Sequence, residues 1–303
     1  MTQEQKSLYS SATHRRRVCI WAAVVTAIVA VLSFQAALPD YQLLPSLPGG
    51  LGAATILALF VAALCCEFID SGLGMGYGTT LTPMLLLAGF SPLQIVPCVL
   101  LSEFVTGLTA SVMHHRDGNV DFFGDKQARL TAMLLSILSV VGTVAAVTLA
   151  LRIPEFWLKG IIAIIILSVG IATLATVRRR FRYRRGHIIA LGAVAAFNKG
   201  LSGGGYGPLV TAGQVVSGIS PKNAVAITSL AESLTCLVGL VAYMIMAPHK
   251  IEWALAAPLT VGAMLSVPMA TLTVKQMPEA LMRVSVGTVT CLLGVLTVAK
   301  LFW

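Results

Sequence analysis

Asn198-Lys-Gly-Leu-Ser-Gly-Gly-Gly-Tyr-Gly-Pro-Leu-Val-Thr211 lies deep inside apolar sequence, and it has a twin in Asp70-Ser-Gly-Leu-Gly-Met-Gly-Tyr-Gly-Thr-Thr-Leu-Thr82. Tyr77 aligns with Tyr206, an offset of 206 − 77 = 129 residues. Held at that offset without a gap from Phe68 to Leu108, the copies agree at 14 of 41 positions. Shared apolar composition yields about 3 or 4 such matches by accident. It does not put Gly74/Gly203, Gly76/Gly205, Gly78/Gly207, Thr82/Thr211, Ser91-Pro92/Ser220-Pro221 and Glu103/Glu232 in register. The chain carries an internal duplication.

Composition says where the duplicated unit resides. The 303 residues are 57% hydrophobic and 11% charged, with mean hydropathy +0.87; soluble domains carry about 25% charged residues. This is the composition of a polytopic membrane protein. The net charge of +9 is concentrated in short blocks between apolar runs, Arg15-Arg16-Arg17 and Arg178 to Arg185, as in cytoplasmic loops. No soluble domain accompanies the blocks, so nucleic acid is not an expected partner. Cys19, Cys65, Cys66, Cys98, Cys236 and Cys291 lie within apolar runs and form no CxxC, so they read as small buried hydrophobes, with no metal or cofactor.

Residues 1–17 read as a cytoplasmic tail and Val18–Leu38 as a first span, too long for a cleaved signal peptide. Repeat 1 covers 52–177 and repeat 2 covers 187–303. Within repeat 1, Gly52–Ile69 leads into the first glycine loop and Thr79–Gly89 leaves it. The 11 residues of Thr79–Gly89 make about 16 Å of helix against a hydrocarbon core of about 30 Å, too short to cross. In repeat 2, Ile188–Lys199 and Pro208–Ser217 are similarly short. Each glycine motif therefore reads as the tip of a re-entrant pair of half-helices. Three full spans follow each pair: Pro92–Met113, Leu130–Leu151 and Phe156–Val177, then Pro221–Met246, Trp253–Val274 and Leu281–Phe302. Three is odd, so the repeats are expected in inverted orientation, with the first hairpin entering from outside, the second from the cytoplasm, and the C-terminus external. The expected fold is all-α and polytopic, with inverted repeats plus one extra N-terminal span, in a prokaryotic inner membrane. Broken helices meeting between inverted repeats are a recurring plan of secondary transporters.

Three residue groups carry candidate chemistry. Gly74, Gly76 and Gly78, with Gly203, Gly204, Gly205 and Gly207, permit positive φ and close approach of a ligand to backbone. Each loop feeds a half-helix near Thr79 or Pro208, whose N-terminal N–H groups favour an anion; close helix packing is the alternative use of such glycines. Ionisable residues inside apolar runs form the second group: Glu67, Asp70, Glu103, Lys199 and Glu232. A charge at bilayer depth costs at least about 2.5–3.5 kcal/mol, which marks it as functional. Glu103 and Glu232 are repeat equivalents, read either as proton-carrying carboxylates or as braces of the neighbouring half-helix. Asp70 and Lys199 occupy equivalent places with opposite charge, so Lys199 can neutralise a substrate anion while Asp70 gates, pairing with Lys199 across the repeats. Tyr77 and Tyr206 are the third group, hydroxyl donors at the loop tips. His114, His115, His187 and His249 read as interfacial surface residues, and no residue reads as catalytic.

Gly203-Gly-Gly-Tyr-Gly-Pro208 with Ser220-Pro221 resembles the glycine-rich block and downstream Ser-Pro of the sulfite exporter TauE/SafE family. Gly74-Met-Gly-Tyr-Gly-Thr79 with Ser91-Pro92 departs from it at Met75 and Thr79. The resemblance covers residues 52 to 302. It implies a transporter of small sulfur oxyanions or organosulfonates, usually in the export direction; the reading of the residues adds protons as the coupling ion, and a homodimer is compatible with the plan. An anion channel, an uptake carrier and a membrane thiol enzyme are the competing classes.

Overall fold

The computed structural model describes residues 26, 27, 30, 31, 51–176, 185–216, 219–273 and 279–300. The expected tail 1–17, most of the span Val18–Leu38, and the arginines 178–184 lie outside the described residues. Among those described there is no strand. Repeat 1 contains α1 (Ala53–Leu73), α2 (Tyr77–Leu87), α3 (Pro92–Arg116), α4 (Lys126–Arg152) and α5 (Glu155–Thr176). Repeat 2 contains α6 (Arg185–Ser202), α7 (Tyr206–Val216), α8 (Pro221–Met246), α9 (Trp253–Thr273) and α10 (Glu279–Lys300). Six of these helices, α1, α3, α4, α5, α8 and α9, are long and apolar enough to cross a membrane.

Local chemistry sets the boundaries. Gly74 ends α1 in the left-handed region at φ 67°, its N–H donating to the Asp70 carbonyl. At the equivalent position Gly203 has φ 72°, and its N–H donates to the Lys199 carbonyl. A side chain disfavours that geometry and glycine does not. Ser91 and Ser220 sit immediately before the prolines that open α3 and α8, the arrangement in which proline's missing N–H costs nothing. The Ser91 N–H donates to Gln94 Oε1 at 3.1 Å, and Asn223 N–H donates to Ser220 Oγ at 3.3 Å.

One expectation needs correction. The helices entering the loops are not half-length: α1 has 21 residues and α6 has 18, about 31 and 27 Å. In α1, Asp70 does not end the helix, because its backbone N–H and C=O stay in the helical ladder while the carboxylate points to the loop. In α6, Asn198 and Lys199 likewise lie inside the helix, which runs on to Ser202. The exit helices α2 and α7 are short, with 11 residues each, and start two residues earlier than expected, at the tyrosines.

Packing partners repeat along with the elements. α1 packs along α9, and its equivalent α6 packs along α4; α3 also meets α9, as α8 meets α4. α3 pairs with its own equivalent α8, and α5 pairs with α10. Exchanging the repeats maps each pairing onto another pairing or onto itself, which is the pattern a twofold relation produces.

The two hairpins open at opposite ends of the bundle. Lys300 Nζ caps α2 by donating to the Leu87 carbonyl at 2.6 Å, beside the start of α3. Cys98, near that start, adjoins the Glu252 carbonyl at 3.3 Å. At the far end of α3, Val120 and Ala128 share a cluster with Ile219 and Ala224, where the second hairpin returns. Helix α3 has 25 residues, about 37 Å, and separates the two mouths. Outward faces are apolar, with Ile137, Val141 and Ile245 exposed, and the interior holds the polar groups, the layout suited to a lipid solvent.

Candidate functional site

The glycine loops touch backbone to backbone. A Cβ at Gly78 would collide with the Gly203 carbonyl oxygen, and a Cβ at Gly207 would collide with that of Gly74. These two contacts exchange when the repeats exchange, since 78 and 207 are equivalents, as are 74 and 203. A Cβ at Gly204 would lie 2.7 Å from the Gly78 carbonyl oxygen, and its counterpart Met75 is instead a buried side chain packed with Leu73 and Ile69. Gly76 and Gly205 hold φ of 137° and 82°. At Gly78, Gly204 and Gly207 glycine is required because the two loops of the chain cross there with no room for side chains.

Thr211 Oγ1 fastens the crossing, donating to the Gly74 carbonyl at 2.8 Å. It also meets Thr228 Oγ1 at 2.9 Å, which in turn accepts from Gln214 Nε2 at 2.9 Å. The equivalent Thr82 Oγ1 is buried and makes no hydrogen bond among the described residues.

Beside the crossing, Lys199 is fully buried. Its ammonium is ion-paired with Glu103 of repeat 1 and lies 2.7 Å from Glu232 Oε1 of repeat 2. The two glutamates come from the mutually paired α3 and α8, so the lysine bridges the two repeats. Taking such a group out of water costs several kcal/mol per ion; attraction between neighbours offsets it only when the charges are as close as these.

Asp70 does not pair with Lys199: among the described residues, the lysine's ion pairs are to Glu103 and Glu232. Asp70 Oδ1 instead accepts the Tyr77 N–H at 3.3 Å, and Glu103 Oε1 accepts the Gly78 N–H at 3.2 Å. The reason is geometric. Asp70 lies on the last turn of α1, next to the N-terminus of α2, where a carboxylate meets free N–H donors and the positive end of a helix dipole. Two carboxylates therefore occupy the N-terminus of α2. At the N-terminus of α7, no described carboxylate accepts from Tyr206 or Gly207, and Glu232 turns to the lysine.

The tyrosines differ too. Tyr77 Oη and Ser102 Oγ are hydrogen-bonded at 2.7 Å, whereas buried Tyr206 Oη makes no hydrogen bond among the described residues, although Ser139 and Thr235 adjoin it. Thr79 Oγ1, in the first turn of α2, is also buried without a described partner.

Other placements depart from expectation. His114 is buried, not interfacial: its Nε2 contacts the Ser71 carbonyl at 2.9 Å and its Nδ1 the Asn119 amide at 3.0 Å. The α1 helix ends at its level, and an orphan carbonyl of the last turn takes the imidazole as its partner. His115 is half-buried against Phe122 and Phe123, His249 is exposed, and the His187 side chain lies outside the described residues. Cys66, Cys98 and Cys236 are buried, while Cys65 is exposed, because it sits on the outward face of α1. Among the described residues no group of His, Cys, Asp and Glu is placed to hold a metal ion. Thr211 is visible in the repeat match as the twin of Thr82; Ser102 and Thr228 have no sequence signal of their own.

No solved structure matches the chain. A relative described as "Probable membrane transporter protein YtnM", from Bacillus subtilis (strain 168), is 28% identical over 237 residues, 74% of this chain and 76% of the relative. The family model described as Sulfite exporter TauE/SafE matches residues 58–297, which include both glycine loops, both glutamates and Lys199. Six helices able to cross a membrane, a buried polar crossing and a match over most of the chain lead to one assignment: this multi-pass membrane protein belongs to the sulfite exporter TauE/SafE family of transporters.

Proposed function

We propose that the chain is a secondary transporter that exports a small sulfur oxyanion of the sulfite class from a prokaryotic cell, driven by protons. The observation that carries this reading is the Lys199 ammonium, buried beside the glycine crossing and shared by one carboxylate from each repeat. A charge buried at membrane depth is costly and marks a functional site by default. In the state seen here, Glu103 and Glu232 occupy the ammonium as internal anions. A substrate oxyanion competes for the same charge, and the N-terminus of α7, where no described carboxylate accepts, supplies further N–H donors. Three charges, two negative and one positive, leave the triad one proton short of neutrality. A proton taken up by a carboxyl near the crossing offsets the charge that the substrate brings to the lysine, which ties anion movement to proton movement.

Hairpins that open at opposite ends and pack through reciprocal helix pairs support an inverted repeat and alternating access at the crossing. The N-terminal side of the chain and the loop 117–125 are then cytoplasmic, and the ends of α4, α8 and α10 external.

The test is sulfite flux in proteoliposomes of the purified protein, with and without an imposed pH gradient, beside a thermal-shift panel of sulfite, thiosulfate, sulfonates, phosphate and carboxylates. Binding stabilises by RT ln(1 + [L]/Kd), so even weak ligands register at high concentration. Sulfite flux accelerated by the gradient is expected. Flux that ignores it identifies a channel, and stabilisation by carboxylates alone removes the sulfur oxyanion.

A further inference from the structure

The two glutamates that sequence symmetry singles out are both bound to a lysine, but the interior holds another acid that is not. Glu67 lies in α1 with 1% of its surface exposed. Its Oε1 accepts from Ser71 Oγ at 2.6 Å, and its Oε2 has no hydrogen-bond partner among the described residues. The Thr106 hydroxyl of α3 adjoins the same carboxyl and is likewise without a described hydrogen bond. No described cation pairs with Glu67. We propose that Glu67 is the proton-exchanging acid of this transporter, and that the Lys199 triad is the substrate-responsive lock. This rests on the proton-coupled reading above and names its coupling group.

The surroundings favour a proton over a metal cation. On its own helix Glu67 faces Asp70, and from α3 it faces Glu103; Tyr77 of α2 is close by. Helix α9, which packs along α1, carries no Asp, Glu, Lys, Arg or His. Of the neighbouring helices, α8 brings Glu232, which is held by Lys199. His114 reaches the backbone of Ser71, the residue whose hydroxyl holds Glu67. An ionised carboxylate in this setting would be negative among negatives, with one oxygen unsolvated, and that is a costly arrangement. A neutral carboxyl removes the repulsion, and its O–H can donate to Thr106 Oγ1, satisfying both orphan atoms together. Release leaves the carboxylate, which the Thr106 hydroxyl can then serve as donor. A hydroxyl that switches between accepting and donating suits a group that gains and loses a proton. Repeat 2 has Ala196 at the equivalent position (67 + 129), so the first repeat alone contains this acid, while the second alone contains the buried lysine.

The experiment has an arm that needs no substrate. In reconstituted wild-type protein, infrared difference spectra across a pH titration should show a protonated-carboxyl band that Glu67→Gln removes and Glu103→Gln retains. Thr106→Val should shift the band's titration midpoint, which keeps the assignment testable if Glu67→Gln folds poorly. In sulfite flux, Glu67→Gln should bind sulfite in thermal shift yet lose its stimulation by a pH gradient. A band unchanged in Glu67→Gln and unmoved in Thr106→Val overturns the proposal. Absence of any sulfite flux in wild-type protein instead overturns the substrate, with the infrared arm still deciding Glu67.

Discussion

Thr211 Oγ1 donates to the carbonyl of Gly74, 2.8 Å away and 137 positions earlier in the chain, while its repeat equivalent Thr82 makes no hydrogen bond among the described residues. One repeat holds the other's glycine loop, and the reciprocal bond is unmade. A Cβ at Gly203 would stand 3.2 Å from Thr82 Oγ1, so the unused hydroxyl is already beside its counterpart loop. If the two repeats trade conformations during transport, Thr82 takes the Gly203 carbonyl as Thr211 releases that of Gly74. Thr211→Val should lower thermal stability by an amount equivalent to about 1–3 kcal/mol, since a buried carbonyl loses its partner. Thr82→Val should leave the melting temperature nearly unchanged and still slow sulfite flux. Equal destabilisation by both, measured by thermal unfolding in detergent, would remove the exchange.

The crossing itself sets a second expectation. Gly78→Ala and Gly207→Ala each drive a methyl into a carbonyl of the opposite loop, and backbone on both sides cannot yield as a flexible side chain would. Both variants should lose a monodisperse elution profile on size exclusion, or melt well below wild type. Gly52→Ala, with nothing within 4 Å of its Cβ, is the matched control and should behave as wild type. An alanine at 78 or 207 that melts like the control would mean the loops do not cross in the folded protein.

Much of this is legible in the residues alone. The 129-residue register locates both loops, both short exit helices and the Glu103/Glu232 pair, because glycine at positive φ and a helix of 11 residues leave direct traces in composition and length. Where helices end near a charge, and which charges meet, is not written in the same way. Asp70 and Lys199 read as loop residues because ionisable groups usually mark the edge of an apolar run; a helix continues through them when their side chains find partners outside the ladder. The opposite charges of Asp70 and Lys199 suggest an ion pair, yet the helix N-terminus at Tyr77 claims Asp70 and the paired α3 and α8 deliver two closer acids to the lysine. His114 reads as a surface residue from its position near the end of a span, where only the partner helix decides exposure. Glu67 has no twin, so symmetry, the strongest signal in the sequence, passes over it.

The triad makes its own prediction, and single alanine scanning is the wrong probe for it. Lys199→Ala removes the cation and leaves Glu103 and Glu232 facing each other in a buried site, a defect of about 3–5 kcal/mol. The protein should then melt far below wild type, and lost transport would say nothing about substrate. Combining Lys199→Met with Glu103→Gln and Glu232→Gln removes all three charges together. Removing all charges of a buried ion cluster together avoids the unpaired charge that makes single removals so costly, and well-packed hydrophobic residues of similar volume often replace such a cluster without loss of stability. The Gly78 N–H keeps an acceptor, the amide oxygen that Glu103→Gln supplies. The triple variant should therefore recover most of the melting temperature lost by Lys199→Ala, and should show no stabilisation by sulfite and no flux. Thermal unfolding with and without sulfite reads stability and binding in one experiment. Sulfite stabilisation that survives in the triple variant would place the anion elsewhere and reduce Lys199 to a clasp between the repeats.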